Sequence, residues 1–247
     1  MPGVKQPTPI EVFDSNIADA ARLIAMTRAL LNTRTYRMRR ELRESIGAAL
    51  NLPKKDWDGL DCVESGEVFV VLKEGGAVQR EHFTERELRP LLRQAIVAIA
   101  AAVESYVAEK AHSCISDAWD VQPERLRRIA ISVGDVLDIE AKYKRRFWGY
   151  RGLVEEHLEQ EASAHPDKIG IVFSTVGKSG FWGRLDAERG VAKGTSNRQL
   201  EALAARRNKI AHTGDRLGSK RATLAIDEVQ EHYENAKAII QTLEKVL

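Results

Sequence analysis

The sequence predicts an all-α protein: a helical bundle with an N-terminal helical extension that also holds a small β-hairpin. Three observations lead to this fold class. Apolar residues between positions 92 and 107 recur at the 3.6-residue spacing of one helix face. Between positions 229 and 247 they follow nearly a heptad pattern, which is typical of a packed bundle or a dimer seam. Sequence of β type, in contrast, is confined to a short run at 68–72.

The composition favours a globular cytoplasmic protein. Of the 247 residues, 43% are apolar and 30% are charged, a mixture that supports a packed core. The net charge is only +2, so nucleic-acid binding would need a local basic patch. Cys62 and Cys114 have no C-x-x-C partner, which argues against a disulfide framework or a zinc site. We see neither a signal peptide nor an apolar run of membrane-spanning length, and we expect no membrane partner.

The N-terminal extension is predicted to comprise residues 1–80. Its helices are inferred from apolar periodicity, and its hairpin from a β-type run followed by two glycines. The expected elements are, in order, a helix that starts after Asp14 or Ser15, a helix at about 36–50, a loop at 51–66 and a hairpin that pairs 67–72 with 77–83.

Residues 81–247 are predicted to form the main helical domain. Thr84 and Glu87 match a capping box, but Pro90 favours a helix start near Arg89, which would place the proline in the first turn. The later elements are expected as follows: a helix at 124–139, a helical stretch at 141–162 interrupted by Gly149 and Gly152, a long connection at 165–195, a helix capped by Ser196 and Gln199, and a last helix after Asp227.

The string RRNKIAHTGDR, residues 206–216, ends the helix that Ser196 starts. Asn208 and His212 are four residues apart and therefore share a helix face. Arg207 lies to one side, although its long side chain can reach the same end of the helix. Gly214 supplies the left-handed residue that ends a helix. One interpretation is that these cations only stabilise the helix C-terminus; the other is a catalytic site.

The fuller string resembles the signature of the HEPN superfamily, and most closely its RiboL-PSP-like branch. That signature is an arginine, a polar residue and a histidine three to five residues later, near the end of the penultimate helix. Here Arg207, Asn208 and His212 match it, followed by Gly214 and Asp215. An early helix with an acid before an aromatic also resembles this branch; here it is 91–107, with Glu104 before Tyr106. The resemblance covers roughly residues 85–247.

The resemblance implies a metal-independent endoribonuclease without cofactors, whose active site combines two motifs across a homodimer. The RNA 2′-hydroxyl would attack its own phosphate, which leaves a 2′,3′-cyclic phosphate and a 5′-hydroxyl. His212 would transfer protons, and Arg207 would stabilise the charge on the phosphorane. Asn208 would position the histidine or a phosphate oxygen. The supporting residues would be Glu104, Arg206 and Asp215. The family setting also suggests a toxin or defence effector, with an antitoxin or inhibitor protein as a possible partner.

A second basic segment, at 142–151, interleaves cations with aromatic residues. Such a mixture suits RNA, with cations on phosphates and rings stacked on bases. The alternative is a solvated basic face whose aromatic edge packs into the core. The candidate RNA-binding residues are Lys142, Lys144, Arg145, Arg146 and Arg151.

Other candidate sites are weaker. Arg151 and His157 form a similar pair, but Gly152 replaces the polar residue. The string TVGKSG at 175–180 lacks the first glycine of a phosphate-binding loop. No histidine has carboxylates at the spacing of a convincing ligand set, so we expect no metal site. A second functional hypothesis is a non-catalytic HEPN module that dimerises or binds a partner or nucleic acid.

Overall fold

The computed structural model describes residues 6–31, 34–36, 38–64, 68–73, 75–121, 123–127 and 129–247. Most of these residues are helical, which confirms the predicted all-α class. The helices are α1 (Pro9–Leu31), α2 (Arg40–Ala49), α3 (Glu85–Val121), α4 (Pro123–Leu126), α5 (Val133–Lys142), α6 (Arg146–Glu161), α7 (Pro166–Thr175), α8 (Trp182–Glu188), α9 (Thr195–Thr213) and α10 (Ile226–Val246). The strands are β1 (Arg34–Tyr36), β2 (Leu60–Glu64), β3 (Phe69–Lys73), β4 (Arg216–Leu217) and β5 (Lys220–Arg221).

The chain folds into two compact units, and neither is a continuous segment. The first unit combines Met1–Ala20, Ile96–Ala222 and Gln230–Leu247. The second combines Ala21–Ala95 with Thr223–Val229. All of the candidate site residues lie in the first unit.

The second unit contains a three-stranded antiparallel sheet in the order β1-β2-β3. Within β2, Leu60 pairs with Lys73 and Cys62 pairs with Val71 of β3. Leu60 and Cys62 are two residues apart and both are buried, as the two-residue period of a strand requires. Met38 completes this small apolar cluster.

One strand of the predicted hairpin is present as β3, but the predicted partner strand was wrong. β3 pairs with residues 60–64 rather than with 77–83, and residues 80–83 form a 3₁₀ turn. The predicted loop at 51–66 was therefore also wrong at 60–64, and residues 65 and 66 lie outside the described part of the chain. Its Asp and Gly residues concealed the alternation of Leu60 and Cys62, and Gly75, with φ of +73°, follows β3 rather than linking two paired strands. Tyr36 lies in β1 instead of starting a helix.

The core of the first unit is built on the middle of α3. Tyr106 is fully buried, and its ring meets that of Phe13 edge to face at 6.1 Å. Its hydroxyl donates a hydrogen bond of 2.7 Å to Glu244 of α10, which also accepts one of 2.8 Å from Lys110. Burial, followed by the hydrogen bond to Glu244, raises the pKa of Tyr106 above its ordinary value. The phenol therefore stays a neutral donor that joins α3 to α10.

Helix α3 begins at Glu85, so the preferred start near Arg89 was wrong, and Pro90 lies inside the helix. Its 37 residues span about 55 Å. By length and composition alone this helix could cross a membrane. However, 56% of its most apolar window is buried inside the protein, as in a core helix.

Two predicted boundaries in the middle of the chain differ from the structure. The single helix expected at 124–139 is divided into α4 and α5, because Ser132 and Asp135 form a reciprocal capping box that starts α5. The predicted interruption at Gly149 and Gly152 does not occur, since α6 runs through both. Gly149 is instead a contact point: a Cβ there would lie 2.8 Å from a methyl carbon of Ile139 in α5.

The long connection predicted at 165–195 was wrong, because it contains α7 and α8. His165 and Pro166 start α7 in the usual manner, with a side-chain cap followed by a proline in the first turn. Phe173 and Phe181 are buried and their rings meet at 5.6 Å. The Gly and Lys residues that suggested a loop lie mainly in the turns around these two short helices.

Candidate functional site

The N-terminus of α9, the helix that carries the motif, is held by a buried carboxylate from α8. Asp186 is 2% exposed and accepts hydrogen bonds from the Gly194 and Ser196 amides at 2.6 and 3.0 Å. The Ser196 hydroxyl also donates to it, at 2.5 Å. The predicted capping box of Ser196 and Gln199 was therefore wrong: α9 begins at Thr195, and Arg189 donates to both side chains. The cap therefore comes from the neighbouring helix α8, ten positions before Ser196.

The hydrogen bonds to Asp186 determine its charge state. Burial by itself raises the pKa of this carboxyl, but the hydrogen bonds from Ser196 and Gly194 more than offset that effect. The pKa of Asp186 consequently lies below its ordinary value of 3.8. An ionised Asp186 is well matched to the positive end of the α9 dipole.

Arg207 lies close to the packed face of α9. It is four residues after the buried Leu203 and seven after the buried Leu200, so it follows the same helix face. Its guanidinium is 3.8 Å from a carboxylate oxygen of Glu104 on α3 and donates a hydrogen bond of 3.3 Å to Asn208. The side chains of Arg207 and Glu104 are 35% and 28% exposed. The structure thus brings together Arg207, Asn208 and Glu104, a contact between α3 and α9.

His212 lies on another side of α9. It is five positions after Arg207 along the helix, which corresponds to a rotation of about 140°. His212 is exposed. Within the part of the chain that the structure describes, no hydrogen bond or ion pair connects its ring to Arg207, Asn208 or Glu104. One copy of the chain therefore does not bring His212 together with Arg207, Asn208 and Glu104.

The end of α9 matches the sequence expectation, and further contacts support the turn beyond the glycine itself. Gly214 and Asp215 both adopt left-handed backbone conformations, with φ of 60° and 63°. Asp215 is 1% exposed, and its carboxylate lies 3.3 Å from the guanidinium of Arg206. The amide of Asp215 donates to the carbonyl of Lys209 at 3.0 Å. Arg206 and Asp215 thus act together on the turn that follows His212.

A basic hairpin that we did not predict follows this turn. β4 and β5 pair in antiparallel fashion, with Arg216 opposite Arg221 and Leu217 opposite Lys220. All four residues are exposed. The signal in the sequence was a two-residue Gly-Ser loop, which is typical of a tight hairpin. We missed it because the flanking residues are charged and only two residues of each strand are paired.

The predicted RNA-binding segment is exposed but partly neutralised. Lys142, Arg146 and Arg151 form ion pairs with nearby acids at 3.3, 3.2 and 2.9 Å. Lys144 and Arg145 are exposed, and neither has an acidic partner among the described residues. The partners of the three paired cations are Asp138, Glu140 and Glu155 respectively.

Aromatic side chains of the same segment are exposed as well. Tyr143, Phe147 and Trp148 are 47%, 42% and 56% exposed. The segment lies away from the motif: Arg151 bonds to Ser116 of α3, twelve residues beyond Glu104, which is about 18 Å along the helix. The structure therefore does not join this surface to the catalytic candidates.

The remaining candidates acquire no catalytic geometry. Arg151 is held by Glu155 and Ser116, and within the described ranges it forms no hydrogen bond with His157. Among the described residues, no group of three or more His, Cys, Asp or Glu side chains is placed to hold a metal ion. Comparison of the chain with protein-family models, curated proteins and solved structures gives no match.

Proposed function

We propose that the protein is a metal-independent endoribonuclease whose active site is built from Arg207, Asn208 and His212. The observation that carries this proposal is the end of α9. There, a partly buried arginine is oriented by Glu104, and an exposed histidine with no partner in the described part of the chain follows on the same helix. The HEPN-like signature in the sequence supports the same assignment.

The chemistry follows from the residue types. The RNA 2′-hydroxyl oxygen attacks the adjacent phosphorus while His212 accepts its proton, since imidazole is the side chain that ordinarily titrates nearest neutral pH. Arg207 stabilises the negative charge that builds up on the phosphorane oxygens. The bond from phosphorus to the 5′-oxygen then breaks, and the leaving oxygen takes up a proton. The products are a 2′,3′-cyclic phosphate and a 5′-hydroxyl.

A homodimer is part of the proposal because Arg207 and His212 point away from each other within one chain. A second copy related by a two-fold axis would place the same residues opposite one another. The histidine of one copy and the arginine of the other would then share one scissile phosphate. A role as a toxin or defence effector, restrained by an inhibitor protein, is compatible with this activity and is proposed with it.

The test is cleavage of mixed single-stranded RNA in EDTA by the purified protein. We expect His212→Ala and Arg207→Ala each to reduce the rate at least 100-fold, because each removes a group that acts only in the transition state. The matched control is His157→Ala, which removes the histidine of the other Arg/His pair and keeps the candidate RNA-binding residue Arg151. Mapping of the product ends should reveal cyclic phosphates. Equal cleavage by all variants would exclude the site at α9.

A second candidate function is supported by the exposed aromatic and cationic side chains at 142–151. They suit a non-catalytic module that binds nucleic acid. In that case RNA would bind without cleavage, and binding would be weakened by Lys144→Gln and Arg145→Gln. The same two assays, cleavage and binding, therefore separate the two functions.

A further inference from the structure

The β4–β5 hairpin has a charge arrangement that its own fold does not explain. Arg216 and Arg221 are directly opposite each other in the ladder. Like charges at directly opposed positions destabilise a strand pair. No ion pair or hydrogen bond within the described residues involves the side chain of Arg216, Lys220 or Arg221, and all three are exposed. In this respect the hairpin differs from the segment at 142–151, where acids neutralise most of the cations.

The hairpin is also held in a fixed position despite its short strands. Its base is closed by the amide of Ala222, which donates a hydrogen bond of 2.7 Å to the carbonyl of Asp215. The Asp215 carboxylate is buried against Arg206. Gly218, with φ of 63°, makes the tight turn at the tip. The two arginines are therefore presented on a supported scaffold, which lowers the entropic cost of ordering them around a ligand.

The position of the hairpin connects it to the candidate active site. β4 begins four residues after His212. The amide of Asp215 bonds to the carbonyl of Lys209, one turn before His212, so the hairpin is tied to the last turn of α9. An anion bound by the hairpin would accordingly lie close to the exposed histidine.

We propose that the β4–β5 hairpin binds the phosphate backbone of a single-stranded RNA, with one phosphate held between Arg216 and Arg221, and so places the strand beside His212. The proposal rests on the proposed nuclease function, since it concerns the substrate of the same site. A phosphate between the two arginines removes their repulsion and accepts hydrogen bonds from both guanidinium groups. Lys220, on the other face of the ladder, would contact a neighbouring phosphate.

The experiment uses the full chain carrying His212→Ala, so that RNA is bound but not consumed. Binding of a fluorescein-labelled single-stranded oligoribonucleotide is followed by anisotropy in EDTA at several salt concentrations. The test variant adds Arg216→Gln and Arg221→Gln. The matched control adds Arg184→Gln and Lys193→Gln, which remove the same charge from exposed positions of the same unit that have no acidic partner among the described residues.

We expect the test variant to bind at least tenfold more weakly at moderate salt. The slope of log affinity against log salt should fall by about 0.7, because the one phosphate contact that the two arginines share is lost. The control should change the affinity less than about twofold, since its charges lie outside the contact. The thermal midpoint of the test variant should stay the same or rise, because the substitution removes repulsion. A loss of binding through unfolding would instead lower the midpoint.

The outcomes separate this inference from the nuclease proposal. Unchanged affinity and slope in the test variant would overturn the hairpin inference, even if the wild-type protein cleaves RNA. Absence of RNA binding by the His212→Ala parent would overturn it as well. Loss of binding in the test variant, with no cleavage by the wild type, would support the hairpin as an RNA-binding element and reject the nuclease.

Discussion

At the scale of single residues, Asp215 supports the turn after α9 through both its backbone conformation and its side chain. It adopts a left-handed backbone conformation, which favours glycine or asparagine, and it carries a buried charge opposite Arg206. A short side chain with an acceptor oxygen satisfies both requirements. The turn after His212 therefore depends on the identity of this residue, although Asp215 is separated from the reacting groups.

We expect Asp215→Ala to destabilise the protein by about 2–4 kcal/mol, because it leaves the Arg206 guanidinium buried without its carboxylate and strains a left-handed position. Asp215→Asn should cost less than half as much, since asparagine tolerates this conformation and keeps an acceptor. Unfolding in urea measures both values. Equal losses for the two variants would show that the charge alone matters and that the backbone conformation does not.

The residue scale is also where sequence analysis both succeeded and failed. The prediction that α9 ends near Gly214 is confirmed, because the left-handed conformation of a glycine is a local property. The location of Arg207 beside Glu104 could be proposed only through the family resemblance, since 103 residues separate the two along the chain. Asp186 was not considered at all. Its role as the cap of α9 depends on the packing of α8, and nothing in the local pattern around Ser196 indicates it.

At the scale of elements, α9 is positioned through Asp186 at one end and through Asp215 at the other. The lowered pKa of Asp186 makes the first anchor dependent on pH. Because the folded pKa lies below the ordinary value of 3.8, the ionised carboxylate stabilises the fold at all pH values above about 4. That contribution is lost as the pH falls from about 4 through the folded pKa.

We accordingly expect Asp186→Asn to lower the free energy of unfolding at pH 7 by about 1–3 kcal/mol. The difference from the wild type should shrink as the pH falls below about 4, because the wild type loses the same charge by protonation. Urea unfolding between pH 7 and pH 3 measures this difference. Asp117→Asn, an exposed acid of α3 without a partner in the described chain, is the control and should have little effect. A stability difference that stays constant with pH would contradict the role of the ionised Asp186 carboxylate as the cap of α9.

The two glycines of α6 provide a second prediction for the elements. A Cβ at Gly149 would lie 2.8 and 2.9 Å from carbons of Ile139 and 3.1 Å from the ring of Tyr143, whereas a Cβ at Gly152 would meet nothing within 4 Å. Gly149→Ala should therefore destabilise the protein by about 1–3 kcal/mol through overpacking. Gly152→Ala should stabilise it by about 0.5–1 kcal/mol through helix propensity. Thermal unfolding of the two variants measures both changes. Effects of the same sign in both variants would contradict the packing role of Gly149.

These glycines also show why the elements were only partly predictable. Both were interpreted as helix interruptions because glycine has a low helix propensity. The structure shows that Gly149 serves packing between α5 and α6, which a single-sequence pattern does not reveal. The existence of the long periodic helices α3 and α10, in contrast, was predicted correctly, since many apolar residues contribute to each signal, although the start of α3 was not.

At the scale of the whole molecule, the proposed active site requires two copies of the chain. We expect a mixture of His212→Ala and Arg207→Ala proteins, each inactive alone, to recover about a quarter of the wild-type activity after subunit exchange. Half of the dimers are then mixed, and each mixed dimer has one of its two composite sites intact. Cleavage of RNA by the exchanged mixture measures this recovery. If no activity returns while pull-down through a tag on one variant recovers the other, both residues act within one chain and the composite site is wrong.

The discontinuity of the first unit affects how the protein folds during synthesis. Phe13, Tyr106 and Glu244 belong to one cluster, and 138 residues separate the last two along the chain. The ribosome synthesises α9 before α10. His212 therefore emerges from the ribosome while the core that supports α9 still lacks α10. A continuous domain can fold progressively from its N-terminus during synthesis. The first unit cannot, because its core includes residues from the C-terminal helix α10. During synthesis, the core that supports the proposed RNA-cleaving site therefore stays incomplete until α10 has been made.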